Sequence, residues 1–142
     1  ISAVLFREEL GSWPPGAHGT TFGGQAVAAA AAHATLDLLE GGLQENAARL
    51  GEFLLAELRA LKRRFPFLGD VRGRGLMIGL DFGDPDHPQP DLRDKAVRLA
   101  FEKGLLLLPA GPSALRIAPP LVLTQEEAAL GLEILEEVFR AL

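Results

Sequence analysis

Cysteine is absent from the chain. Disulfides and thiolate metal sites are therefore excluded, and a reducing compartment, the cytoplasm, is the expected setting. Long apolar runs are missing as well. The most apolar long stretch, Ala26 to Leu39, is mostly alanine and carries His33 and Asp37, and it falls short of the ~20 residues a membrane span needs. The opening Ile1 to Leu5 is apolar but lacks a basic flank and does not read as a targeting segment. Positive charge is in deficit: 14 Lys and Arg stand against 19 Asp and Glu, a net charge of −5. A surface for nucleic acid or anionic membrane needs the opposite balance. His18, His33 and His87 fall in three different predicted elements, at no spacing that resembles a metal site. Ser12, His18 and Asp70 can be assembled on paper into a nucleophilic triad, but no nucleophile elbow supports it. No repeat or low-complexity tract is present.

What remains is an ordinary soluble composition. Hydrophobic residues make up 48% of the 142, enough to bury a core, and charged residues 23%. That length suits one domain, or one domain plus part of another. Because the chain opens inside an apolar run, on Ile1, we expect it to be cut from a larger protein. Ile1 to Phe6 is predicted as a short buried strand. Gly11 to Gly24, rich in Gly, Pro, Ser and Thr, is a long irregular loop, and loops of that length are often functional. Gln25 to Leu39 is predicted as an alanine-rich helix ended by Gly41-Gly42.

A second helix runs from about Leu43 to Arg64 with an apolar stripe through Ala47, Leu50, Leu54, Leu58 and Leu61, and Pro66 ends it. Val71 to Phe82 reads as extended chain broken by Gly73 and Gly75. Asp91 is the expected N-cap of a third helix reaching Lys103. Leu105 to Leu108 and Ala114 to Ala118 are predicted to form a hairpin. Thr124 with Glu127 has the spacing of a capping box that opens a last helix to Leu142. From residue 43 onward this order predicts an α+β layer: a small, mainly antiparallel sheet with helices packed on one side.

Three segments are candidates for chemistry. In Gly16-Ala17-His18-Gly19-Thr20-Thr21-Phe22-Gly23-Gly24, glycines permit close backbone approach and adjacent hydroxyls precede a helix start, a setting that favours an anion such as phosphate. The same residues also serve as a plain glycine-rich connector with hydroxyl caps. In Leu115-Arg116-Ile117-Ala118-Pro119-Pro120, an arginine on an apolar strand calls for a partner. A carboxylate held at two points is the natural one, and solvent or a local Asp or Glu is the alternative. Gly69-Asp70-Val71-Arg72-Gly73-Arg74-Gly75-Leu76 alternates arginine with glycine. It lacks aromatic interleaving in an acidic chain and reads as a strand with glycine bends.

Taken in order, "PPGAHGTTFGG", "GDVRGRGLMIG" and "LRIAPPLVLT" make the chain resemble the class III (fold type I) pyridoxal-phosphate aminotransferases of the 4-aminobutyrate/acetylornithine type. The resemblance covers essentially all of the chain and implies its C-terminal portion. Residues 1–24 would be a remnant of the large cofactor domain, 25–41 a linker helix, and 42–142 the small C-terminal domain. It implies that Thr20 and Thr21 bind the phosphate of pyridoxal phosphate, Thr21 that of a partner subunit in a homodimer. It implies that Arg116 binds a substrate carboxylate, and that the cofactor-carrying lysine lies before Ile1. No catalytic residue is then expected in the chain, which would be inactive alone; its lysines, Lys62, Lys95 and Lys103, all fall on predicted helices. The implied reaction moves an amino group from an amino acid to a 2-oxo acid. A racemase or epimerase on the same scaffold, and a stand-alone α+β interaction domain without chemistry, are the alternatives. Gln25 departs from the asparagine usual after the Gly-Gly pair and is expected to disturb the helix start.

Overall fold

A computed structural model describes all 142 residues. The chain divides into two compact units, Ile1–Gly42 and Leu43–Leu142, considered separately below. No helix in either is long and apolar enough to cross a membrane.

In the first unit, Ile1 to Phe6 is exposed and forms no strand, contrary to the expectation from its apolarity. A strand exists only where a neighbour takes its backbone groups, and these residues pair with none. The only helical structure before residue 26 is a single 3-10 turn, Glu8–Leu10. Helix α1 spans Ala26–Leu38, carried by the helix propensity of its alanines. Gln25 does not disturb its start. The Gln25 side chain accepts a hydrogen bond from the Ala28 amide at 3.0 Å and so caps the helix. Beyond α1 the chain widens into a looser turn over Leu39–Leu43, where Gly42 takes φ +124°, a conformation only glycine adopts without strain.

The second unit is α+β. Its elements are α2 (Gln44–Arg64), β1 (Leu68–Arg74), β2 (Met77–Phe82), α3 (Pro90–Glu102), β3 (Leu108–Ala110), β4 (Ala114–Ile117) and α4 (Gln125–Arg140). The four strands form one antiparallel sheet in the order β1-β2-β4-β3. The apolar stripe of α2 is buried as Leu50, Leu54, Leu58 and Leu61. It meets Val71, Ile78, Leu80, Phe82 and Leu115 from the sheet, Ala96 and Ala100 from α3, and Leu135, Val138 and Phe139 from α4. All three helices thus cover one side of the sheet. The approach is close where α2 crosses the β1–β2 turn. Gly75 there has φ +54°, and a Cβ on Gly51 would collide with the Gly75 carbonyl.

Two local boundaries differ from expectation. Helix α3 begins at Pro90 with Gln89 as its N-cap, so Asp91 lies in the first turn instead of capping it. Proline at N1 is pre-set for the helix, and Asp91 in the first turn still complements the positive end of the helix dipole. Strand β3 lies at Leu108–Ala110, so it begins only on the last residue of the predicted run. Leu107 turns into the core instead, and Pro109 is tolerated because β3 is an edge strand. The hairpin register pairs Leu108 with Arg116 and Ala110 with Ala114.

Helix α4 opens on the capping box. Thr124 accepts from the Glu127 amide at 3.2 Å, and the Glu127 carboxylate accepts from the Thr124 amide at 2.8 Å. The Thr124 amide first, and the Thr124 hydroxyl second, donate to the Glu127 carboxylate and hold its pKa below the ordinary value of 4.5, and the Arg64 hydrogen bond does the same for Glu136. A carboxyl whose folded pKa lies below its unfolded one stabilises the fold above the unfolded value and loses that contribution as pH falls through the folded one. We therefore expect the thermal midpoint to fall as pH drops below about 4.5, with a shallower fall in Glu127→Gln and Glu136→Gln. A midpoint that tracks pH identically in both variants and the parent would assign the acid sensitivity to other carboxyls.

Candidate functional site

The free face of the sheet follows from strand alternation. On β2, Ile78, Leu80 and Phe82 enter the core, so Met77, Gly79 and Asp81 take the opposite face. On β4, Leu115 is fully buried and Arg116 exposed. On β1, Val71 is buried and Arg72 exposed. Register pairs Arg72 with Gly79, Gly79 with Arg116 and Arg116 with Leu108. Arg72, Gly79, Arg116 and Leu108 therefore form one lateral row across all four strands. An open hollow on this face is lined by Arg72, Met77, Gly79, Ala110, Ala114 and Arg116.

The two arginines of the row differ in their partners. Arg72 holds Asp81 at two points, through Nη1 to Oδ2 and through Nη2 to Oδ1 at 3.1 Å, and reaches Asp70 Oδ2 at 3.2 Å. The hydrogen bonds to Asp81 first, and Asp70 second, raise its pKa above the ordinary arginine value. Arg116 makes no ion pair and no side-chain hydrogen bond, although polar partners are recorded for Arg49, Arg64, Arg72, Arg93 and Arg140. A planar fork of donors left open on a sheet face is suited to a planar acceptor such as a carboxylate.

In the first unit, Thr20 and Thr21 are exposed at the turn that leads into α1. The Gly23 amide donates to the Thr20 carbonyl at 3.4 Å and the Gln25 amide to the Phe22 carbonyl at 3.3 Å. Gln25 claims the Ala28 amide through its side chain and the Ala29 amide through its carbonyl. Ala26 and Val27 keep their N–H groups free, as first-turn residues do. Thr20 lines a hollow with Ile1, Ser2, Phe22, Gly24 and Gln25, and Thr21 lies outside it. The sequence candidates are thus divided: Thr20 and Thr21 belong to the first unit and Arg116 to the second.

The lysines are occupied or peripheral. Lys95 Nζ donates to the carbonyls of Ala141 and Leu142 at 3.3 and 3.1 Å, Lys103 pairs with Glu137 at 2.7 Å, and Lys62 is exposed in the last turn of α2. No group of three or more His, Cys, Asp or Glu side chains is placed to hold a metal ion. Two arginines carry more than sequence reasoning assigns them. The sequence places Arg72 in a glycine-bent strand, and its position in the same row as Arg116 is visible only once the strand register is known. Arg93 is buried, donates from Nη1 to the Ala114 carbonyl at 3.1 Å and ties α3 to the start of β4. Its signal, an arginine on the alanine face of a helix with Ala96 and Ala100, was present in the sequence.

Comparison with known proteins agrees with the α+β fold. The family description "Aminotransferase class-III" matches residues 1–139. The chain belongs to the class-III aminotransferases. The alanine/serine racemase of Pyrococcus horikoshii is 40% identical over 144 residues, which cover 99% of this chain and 30% of that protein. The acetylornithine aminotransferase of Bacillus subtilis is 40% identical over 131 residues, 91% of this chain and 32% of that protein. The crystal structure of acetylornithine aminotransferase from Elizabethkingia anophelis superposes with a TM-score of 0.83 at 32% identity, over 94% of this chain and 34% of that one. This class-III chain spans about a third of the length of the relatives it matches.

Proposed function

We propose that the chain is the C-terminal portion of a pyridoxal-phosphate-dependent aminotransferase that moves an amino group from an amino acid to a 2-oxo acid. The donor is acetylornithine or, as a second choice, 4-aminobutyrate. The observation that carries the reading is the family match across nearly the whole chain, together with the unpartnered Arg116 fork on the open sheet face. Relatives named acetylornithine aminotransferase support the choice of donor. On this reading residues 42–142 are the small domain, 25–41 the linker helix and 1–24 a part of the large cofactor domain.

The residues of the first unit fit the phosphate of the cofactor. Two exposed threonine hydroxyls and the free amides of Ala26 and Val27 at a helix start are the neutral donors a phosphate monoester takes. Thr20 and Thr21 would hold that phosphate, with Thr21 serving the site of a second copy, so that the active form is a symmetric homodimer. When bound, pyridoxal phosphate supplies the electron sink for breaking a bond at the carbon that bears the transferred amino group. Arg116 would bind and orient the substrate through its carboxylate, and orientation of a reactant is itself a large part of catalysis. A racemase is the second reading, favoured by the 40% identity to the Pyrococcus horikoshii enzyme.

The test uses the longer gene product that contains these residues. Amino transfer from acetylornithine to 2-oxoglutarate by a species of dimer mass is the expected result. Racemisation of L-alanine with no transfer would overturn it in favour of the second reading. The 142-residue chain alone, mixed with pyridoxal phosphate and borohydride, is expected to give no stoichiometric adduct at a single lysine. Lys95 and Lys103 are held by other groups and Lys62 stands in solvent. A single trapped lysine with turnover would show that the chain carries its own reactive amine.

A further inference from the structure

Asp81 stands between two arginines. Gly79 is opposite Arg72 on β1 and opposite Arg116 on β4. Asp81 follows Gly79 by two residues on the same strand and so points to the same face. It is therefore the diagonal neighbour of Arg72 on one side and of Arg116 on the other, at the same offset in register. Diagonal neighbours in an antiparallel sheet are within reach of long side chains. The only residue between the two arginines in their row is Gly79, which has no side chain to keep them or their partners apart. A Cβ placed on Gly79 would lie 3.8 Å from the Arg72 guanidinium carbon, so that side chain already leans over β2.

Asp81 has nevertheless gone to Arg72 alone. The two-point contact uses both carboxylate oxygens, and Asp70 adds a third point on Arg72 at 3.2 Å. Exposed ion pairs are generally weak, and two-point geometry and networks are the exceptions. Asp70 lies on β1, two strands from Arg116, and is not its diagonal neighbour. Within the register, Asp81 is thus the carboxylate positioned to compete for the Arg116 fork.

We propose that Arg72 is a positioning residue for Arg116: by holding Asp81 at two points, it keeps that carboxylate off the Arg116 guanidinium and leaves the fork open to a substrate carboxylate. The inference rests on the reading of Arg116 as the substrate's carboxylate receptor. Without Arg72, Asp81 is free to close onto Arg116. The fork is then available only for part of the time, and apparent affinity falls by that fraction.

The experiment compares Arg72→Gln, Asp81→Asn and the double variant in the longer enzyme, with 2-oxoglutarate as probe. An exposed pair of ordinary strength between Asp81 and Arg116 raises KM by about two- to sixfold in Arg72→Gln, with kcat unchanged. The double variant, which lacks the competing carboxylate, returns KM to near the parent value. A structural role for Arg72 does not produce that rescue, so a double variant as impaired as Arg72→Gln overturns the proposal, as does an unchanged KM in Arg72→Gln. The same variants of the 142-residue chain give a second readout by NMR of the Arg116 side-chain Nε–H. This signal is expected to shift in Arg72→Gln and return in the double variant. The two failures are distinguishable. An enzyme that transfers no amino group overturns the proposed function, whereas an Arg116 signal indifferent to Arg72→Gln overturns the shielding of Arg116 whatever the enzyme does.

Discussion

Arg116→Ala is expected to lower kcat/KM for carboxylate substrates by about 2–4 kcal/mol of transition-state binding, roughly 30- to 1000-fold. The size follows from what the side chain offers and what it does not do for the fold. Arg116 lies on the exposed face of β4, with Leu115 buried before it, and makes no ion pair or hydrogen bond with the rest of the chain. Its removal takes nothing from the core, and surface changes of this kind usually alter stability by less than about 0.5 kcal/mol. The thermal midpoint should therefore stay near that of the parent while the kinetics collapse. Arg116→Lys keeps the charge but loses the planar fork, and should fall between the parent and alanine. The measurement is steady-state kinetics of the longer enzyme with several amino acids and 2-oxo acids. Unchanged kcat/KM across all of them would remove Arg116 from substrate binding.

Elements built on periodicity were legible in the sequence. The three- and four-residue spacing of Leu50, Leu54, Leu58 and Leu61 marks the face that α2 buries, because a helix brings such positions onto one side. Thr124 and Glu127 marked the start of α4 to the residue, because that signal is a direct hydrogen-bond pair. Where apolarity alone was the guide, the outcome was poorer. Leu105 to Leu108 is an apolar run, yet pairing begins only at its last residue, Leu108, since register with β4 decides which residues are in the ladder. Ile1 to Phe6 is as apolar as a buried strand and has no pairing partner. Gln25 differs from the family's asparagine, yet its longer side chain also reaches the Ala28 amide and caps the helix.

The candidate site divides in the same way. Arg116 stood out because charge is rare in an apolar strand. Arg72 and Asp81 are nine residues apart, in a segment that reads as extended chain broken by Gly73 and Gly75. Only the β1–β2–β4 register shows that both share a face with Arg116. Local chemistry is written in neighbouring letters, whereas a lateral row across strands is a property of pairing.

That pairing depends on a core whose largest fully buried side chain is Phe82. It is fully buried at the end of β2 and stacks on Phe67 at 5.7 Å, with Phe139 edge-on at 6.0 Å. Phe65 extends the cluster through contacts with both Phe67 and Phe139. The backbone of Phe82 is engaged on both sides: its amide donates to the Ser113 carbonyl, and its carbonyl accepts from the Gln89 amide, each at 3.0 Å. One residue thus joins the sheet to the start of α3, the β3–β4 turn and the inner face of α4. Phe82→Ala is expected to cost about 3–5 kcal/mol, the range for emptying a buried aromatic site. A domain of this size has only about 5–15 kcal/mol in total, and each kcal/mol moves the midpoint by about 4–8 °C. A fall of at least about 12 °C is therefore expected, read by thermal or denaturant unfolding of the 142-residue chain. Phe82→Leu retains most of the volume and should cost clearly less. A loss below about 1 kcal/mol in the alanine variant would mean that Phe67 and Phe139 close over the gap. The cluster would then be a set of interchangeable apolar groups and not the fixed junction on which the row of Arg72, Gly79 and Arg116 depends.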